Sequence, residues 1–191
     1  FLTPSESLQP SHPDEQIHPH GKDGTNIHKV AQLSFNDPRA GLESSPHTAS
    51  GHFRFAGVTH AFTEPHATVA AWNADDSVTV ISSTQVPHYL HRALSKVLGL
   101  PMHRVQVKKP SLGGGFGGKS DPFPHEMITA YLAMKTHRPV KCIFSREEVF
   151  LNNHGRHPTE LDLTVGCDND GKLTALEADI VIDGGAAGSF G

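Results

Sequence analysis

Apolar residues along this chain change their period several times, and the changes mark its elements. From about His52 to His60 they alternate through Phe53, Phe55 and Val58, which predicts a strand. Two short β-rich runs follow at Thr68–Trp72 and Ser77–Ile81, the second entered through the turn-forming Asn73-Ala74-Asp75-Asp76. From Val86 to Leu98 the spacing becomes helical: Val86, Tyr89, Leu90, Ala93, Leu94, Val97 and Leu98 share one face. Pro87 fits the first turn of that helix and Gly99 its C-terminal cap.

Strands are predicted at Arg104–Val107 and Val140–Phe144. Between them, a second helix runs from about Pro124 to Lys135, apolar at Met127, Ile128, Tyr131, Leu132 and Met134. The last prediction is a hairpin: Thr159–Val165 alternates at Leu161, Leu163 and Val165, Asp170-Gly171 supplies the turn, and Leu173–Ile182 returns. Strands and helices mix without a strict βαβ repeat, so the pattern predicts an α+β fold.

Residues 1–50 behave differently. They show little periodicity and are punctuated by Pro4, Pro10, Pro13, Pro19 and Pro38, the composition of an extended or linker segment. A domain is therefore expected over residues 51–191. Because the chain opens on Phe1 and stops at Gly191 in a glycine-rich run, it is expected to be a piece of something longer.

Composition excludes several classes of function. The net charge is −4 with no dense Lys/Arg cluster, which argues against a dedicated nucleic-acid or membrane-surface binder. No apolar run reaches the length of a spanning helix. Two cysteines, Cys142 and Cys167, are too few for an iron–sulfur site or a disulfide framework and fit a reducing compartment.

Candidate chemistry concentrates at Gly113-Gly114-Gly115-Phe116-Gly117-Gly118-Lys119. Without Cβ atoms, such a backbone can come very close to a ligand and present N–H groups to anionic oxygens. With Ser120 the run also satisfies the P-loop pattern for nucleotide phosphates. A P-loop lysine opens a helix, however, and here Pro122 and Pro124 fall inside its first turn and a half. A proline beyond the first turn costs ~3 kcal/mol. The preceding Val105-Gln106-Val107-Lys108-Lys109 is also too polar for a strand buried on both faces.

Fifteen histidines raise a metal reading, with ligand types at usable spacing in His60-x3-Glu64-x-His66 and His154-x2-His157. Neither is a zinc signature, and His125-Glu126 continues as Met127-Ile128-Thr129 instead of completing His-Glu-x-x-His. Cys142, in an apolar strand, is expected to be a small buried hydrophobe, and Trp72 a core residue. Ser145-Arg146-Glu147-Glu148 reads as a helix N-cap followed by an acidic first turn.

Taken in order, these segments resemble the large subunits of the molybdenum hydroxylases, the family of xanthine dehydrogenase, aldehyde oxidase and 4-hydroxybenzoyl-CoA reductase. Gly114-Gly115-Phe116-Gly117-Gly118-Lys119 resembles that family's cofactor loop. Thr59-His60-Ala61 with Glu64-Pro65-His66-Ala67 resembles its upstream segment, and Ser83-Thr84-Gln85 its Thr-Gln element. Ser145–Glu148, Gly155-Arg156-His157-Pro158 and Asp183-Gly184-Gly185-Ala186 complete the ordered set over roughly residues 50–191.

The resemblance implies a mixed-sheet α/β sandwich of the molybdopterin-binding type. It implies that Gln85 hydrogen-bonds a molybdenum ligand, that Phe116 and Gly117 line the metal pocket, and that Gly114, Gly115 and Gly118 belong to the same cofactor-binding loop. The cofactor would be molybdopterin, in its cytosine dinucleotide form, with molybdenum. Electrons would pass to iron–sulfur clusters and FAD on a [2Fe-2S] subunit and an FAD subunit. The reaction implied is hydroxylation of an electron-poor carbon of a small molecule, or its reductive reverse.

Ser120 stands where purine-oxidising members carry a Glu, so a substrate other than xanthine is expected. The family's catalytic Glu and Arg-containing substrate loop fall outside this sequence, so the chain alone is expected to be inactive, needing the rest of the molybdenum subunit. A cytoplasmic location is expected, with the periplasm as alternative. The competing readings are a P-loop nucleotide binder and an inactive structural fragment without cofactor.

Overall fold

The computed structural model describes residues 3–8, 14 and 25–185. Pro10, Pro13, Pro19 and Ala186 lie outside the described residues. The chain divides into two units, one of residues 59–155 and one of residues 1–58 together with 156–191. In chain order the elements are α1 (Pro4–Ser7), α2 (Pro38–Glu43), β1 (His47–Phe55), β2 (Val58–Thr59), β3 (Ala67–Trp72), β4 (Val78–Ser82) and α3 (Pro87–Leu98). A 3-10 turn at Met102–Arg104 precedes β5 (Val105–Lys108). Then come α4 (Pro124–Thr136), β6 (Val140–Ile143), α5 (Arg146–Asn152), β7 (Gly155–Arg156), β8 (Thr159–Cys167) and β9 (Leu173–Ile182).

In the 59–155 unit a four-stranded sheet runs in the order β5-β4-β3-β6. The β4–β5 pair is parallel and the others are antiparallel, so the sheet is mixed. One face carries Ala70, Val78, Val80 and Val105, packed with Leu90 and Leu94 of α3 and Ala130 and Ala133 of α4. All eight are at most 5% exposed. Burying a branched aliphatic side chain is worth roughly 1.5–3 kcal/mol, so this seam stabilises the unit. α3 starts with Pro87 at its first position, where no N–H bond is lost, and ends at Gly99 in the left-handed conformation (φ 66°), as the sequence predicts. The mixed α/β layering matches the predicted fold class.

Several expectations change. The strand expected over His52–His60 begins earlier, at His47, and ends at Phe55. Within the segment expected to be extended, Pro38–Glu43 is helical, capped by Asp37, and His47–Phe55 is a strand. Hydrogen bonding across the chain, not local period, sets that strand: β1 pairs with β8 from His47↔Cys167 to Phe55↔Thr159. α4 has the predicted extent but buries a different face. His125, Glu126, Thr129, Ala130 and Ala133 are buried, while Ile128, Tyr131 and Leu132 are exposed. The two alanines have little side chain to keep the helix off the sheet, and Glu126 reaches across to accept a hydrogen bond from Ser82. Cys142 is only partly buried, because its strand lies at the sheet's edge. Trp72 packs against the core as expected.

The β1-β8-β9 sheet of the other unit is antiparallel throughout. Its hairpin β8–β9 turns at Gly171 (φ 80°) and carries a bulge at Gly166/Cys167. None of the described helices is long and apolar enough to cross a membrane.

Candidate functional site

The glycine run forms a closed loop with both ends tied down. Glu64 ties its base twice over: its Oε2 accepts from the Gly113 amide at 2.9 Å and from Lys119 Nζ at 2.7 Å. Its own amide donates to the Gly113 carbonyl. Lys119 is 1% exposed and lies 4.6 Å over the Phe62 ring, so Glu64 and an aromatic face compensate its buried charge. Burial alone would raise the Glu64 carboxyl. The Lys119 and Gly113 hydrogen bonds and the Lys119 charge outweigh it and hold that carboxyl below its usual range.

Gln85 secures the far side. Its Oε1 accepts from the amides of Gly117 (3.1 Å) and Lys119 (3.2 Å), and its backbone N–H donates to the Lys119 carbonyl at 2.8 Å. Both side-chain partners are N–H donors, so the oxygen must be the atom facing them. The Nε2 group is thereby left as a donor with no partner among the described residues. A Cβ at Gly115 would stand 2.7 Å from Gln85 Cδ, so a side chain there would push Gln85 off the loop. Within the loop, the Gly118 amide donates to the Gly115 carbonyl and the Ser120 amide to the Gly117 carbonyl.

These bonds leave the amides of Gly114, Gly115 and Phe116 without a hydrogen bond among the described residues. Gly114, Phe116 and Gly117 are left-handed (φ 97°, 52° and 98°) while Gly115 is not. Such alternation is the geometry that gathers N–H groups into anion-binding concavities. Phe116 is doubly unusual: left-handed without being glycine, and 67% exposed. Both features carry a cost that a structural loop does not need, and strained residues of this kind cluster at ligand sites. Unbonded amides and an aimed amide donor together fit an oxygen-rich anionic group held at the loop.

A P-loop is not formed. No helix follows Lys119 directly; α4 begins only at Pro124, and the lysine that would meet phosphates is buried on Glu64.

Behind the loop lies an aromatic–histidine cluster that sequence reasoning did not find. His66 is 2% exposed and sits among Phe62, Phe123, His125 and Phe144, with ring centroids 4.5–5.6 Å away. Burial lowers both His66 and His125 to about 4, with the Lys119 charge adding to the effect on His66 and His66 itself adding to that on His125. Among the described residues, His66 Nε2, His125 Nδ1 and Asn153 Oδ1 are buried without a hydrogen-bond partner. Among the described residues no group of three or more His, Cys, Asp or Glu is placed to hold a metal ion. His60 Nδ1 donates to the His154 carbonyl (3.0 Å), a contact that supports the chain beside the loop.

Ser145 caps α5 in a reciprocal box with Glu148, as predicted. Arg146 was missed. It donates to the carbonyls of Phe62 and Thr63 at 2.8 and 2.6 Å and so fixes the segment that carries Glu64. The Glu64–Lys119 clamp was missed for the same reason: its partners are 55 positions apart and belong to no common motif.

Residues 17–191 match the molybdopterin cofactor-binding domain family. The chain is 35% identical over 167 residues to the nicotinate dehydrogenase large molybdopterin subunit of Eubacterium barkeri, covering 87% of this chain and 39% of that one. It is 38% identical over 137 residues to abscisic-aldehyde oxidase of Arabidopsis thaliana, covering 71% and 10%. The chain thus spans well under half the length of these relatives. Among solved structures, aldehyde oxidoreductase from Desulfovibrio desulfuricans superposes with a TM-score of 0.77 at 22% identity, over 95% of this chain and 20% of that one. Quinoline 2-oxidoreductase from Pseudomonas putida 86 gives 0.66 at 26% identity, over 75% and 18%. With a family match over nearly its whole length and a loop whose geometry suits an anionic, oxygen-rich group, the chain belongs to the molybdopterin cofactor-binding domain family.

Proposed function

We propose that this chain forms one wall of the molybdenum-cofactor site of an oxidoreductase that hydroxylates an aromatic, heterocyclic or aldehyde carbon, or reductively dehydroxylates it. The observation that carries the reading is Gln85: its oxygen is consumed by the Gly117 and Lys119 amides, so its Nε2 is a fixed, available donor beside three unbonded loop amides.

When bound, the molybdenum cofactor supplies a two-electron acceptor for the substrate carbon. Gln85 Nε2 would donate to an oxygen ligand of the metal. The amides of Gly114, Gly115 and Phe116 would hold anionic oxygens of the cofactor, and Gly117 and Gly118 keep the backbone close. The exposed Phe116 ring would wall the pocket and exclude water. None of these groups titrates near neutrality, so the chain positions the reaction and leaves proton transfer to other residues.

The substrate class draws support from the relatives' names, nicotinate, abscisic aldehyde and quinoline, and from Ser120 in place of an acidic residue after Lys119. We assign residues 51–191 to the cofactor domain. The pterin would be in its cytosine dinucleotide form, with iron–sulfur clusters and FAD on partner subunits and the rest of the molybdenum subunit completing the site. Two free cysteines favour a reducing, cytoplasmic setting over the periplasm.

The test is turnover by the subunit at its native length with its partners. Oxidation of an N-heterocycle or an aldehyde with a dye as electron acceptor is the expected result. No turnover of either, with no bound molybdenum, would leave an inactive structural domain instead.

A further inference from the structure

In the β1-β8-β9 sheet the register sorts side chains onto two faces. One face carries His52, Arg54, Glu160, Asp162, Glu177 and Asp179. It satisfies itself through His52–Asp162 and Arg54–Glu160 contacts of 2.8 Å. Both short helices lie on this polar face: Ser5 of α1 bonds to Glu160, and Gly41 and Leu42 of α2 pack against Ala175 and Gly166.

The opposite face is apolar and bare. Phe53, Phe55, Leu176, Ile180 and Ile182 on the outer strands are each 47–60% exposed. Leu161, Leu163 and Val165 run between them on β8, and no charged residue interrupts the face. All the fully buried hydrophobic side chains among the described residues lie instead in the 59–155 unit. A sheet with one apolar face is half of a two-layer core, and the layer present covers the wrong side.

We propose that this apolar face is a docking surface for a further apolar layer of the same molybdopterin subunit, built from polypeptide that the relatives carry outside the matched part. The occupant's identity rests on the family reading above. The chain spans 39% of the nicotinate dehydrogenase subunit, which leaves ample chain to supply it. The lack of any charge on the face rejects a nucleic acid or an acidic peptide. A second copy fits poorly by size. Nine-residue strands at ~3.3 Å per residue and three strands ~4.8 Å apart give a face of about 400 Å². Two copies would bury about 800 Å², the scale of a crystal contact and below the ~1,200 Å² of a stable interface. A covalently continuous layer has no such minimum, because it is already at high effective concentration.

Hydroxyl-radical footprinting of the native-length subunit tests this, with its own denatured chain as reference. Phe53, Phe55 and Ile180 should react at least tenfold more slowly in the folded subunit, at every protein concentration. A difference below threefold, or protection that disappears on dilution, would overturn the proposal, the latter in favour of a second copy. Molybdenum measured on the same samples keeps the two readings apart. An open face with molybdenum bound sinks this inference alone, and a protected face without molybdenum sinks the cofactor reading alone.

Discussion

Among the described residues, Glu64 holds the one carboxylate that the buried Lys119 ammonium meets, 2.7 Å away, and the same oxygen anchors the start of the glycine loop at Gly113. Replacing one partner of a buried pair strands the other. Glu64→Gln should therefore cost about 3 kcal/mol in chemical denaturation. Adding Lys119→Met to that variant should recover most of the loss, and an unchanged midpoint for Glu64→Gln alone would show that the pair anchors nothing. Gly115→Ala places a Cβ 2.7 Å from Gln85 Cδ, so the Gln85 side chain must shift and give up its bonds to the Gly117 and Lys119 amides. About 1–3 kcal/mol of destabilisation is expected, as for overpacking elsewhere. The glycines were legible in the sequence because their type alone states the backbone's need. The fate of Lys119 was not: burial of a lysine depends on a carboxylate that only the folded chain brings near.

Helices and strands were read with uneven success, and α3 and α4 show why. In α3 the predicted apolar stripe includes the residues that are buried, Leu90 and Leu94, because a strongly two-faced helix has one way to pack. In α4 large apolar residues lie on several sides, so period could not choose the face, and small residues won by allowing close approach. Leu94→Ala should then cost roughly 2–5 kcal/mol. Ile128→Ala should stay within about 0.5 kcal/mol in the isolated chain, since Ile128 is 58% exposed. A large loss at Ile128 measured by urea unfolding would restore the face expected from sequence. The β8–β9 hairpin was legible from alternation and Asp170-Gly171. The position of β1 was not, since its partner β8 lies more than a hundred residues along the chain.

At the scale of the molecule, two buried histidines link the stability of the 59–155 unit to pH. His66 and His125 are lowered by burial to about 4 from the usual 6.5. Between those values the unfolded chain binds protons that the folded unit refuses. Their contribution is complete above pH 6.5 and falls away as the pH drops towards 4, by at most about 3 kcal/mol for each. Glu126, raised by burial, acts in the opposite sense, favouring the folded unit towards low pH. Denaturation midpoints should decline from pH 6.5 to 4, and the double variant His66→Phe/His125→Phe should flatten that slope. An unaltered slope would place the titration elsewhere.

The resemblance in the sequence located the loop, Gln85 and the fold class. Geometry added how those residues hold together: Glu64 and Gln85 close the loop, and the amides they leave unbonded are the ones we propose to meet the cofactor. The most direct test of that account is the molybdenum and pterin content of the native-length subunit, compared with its Gln85→Ala variant. The account predicts close to one molybdenum per wild-type chain and at least a tenfold lower content in the variant, with little change in its melting temperature. Equal molybdenum in both, or a wild-type subunit without any, would contradict it.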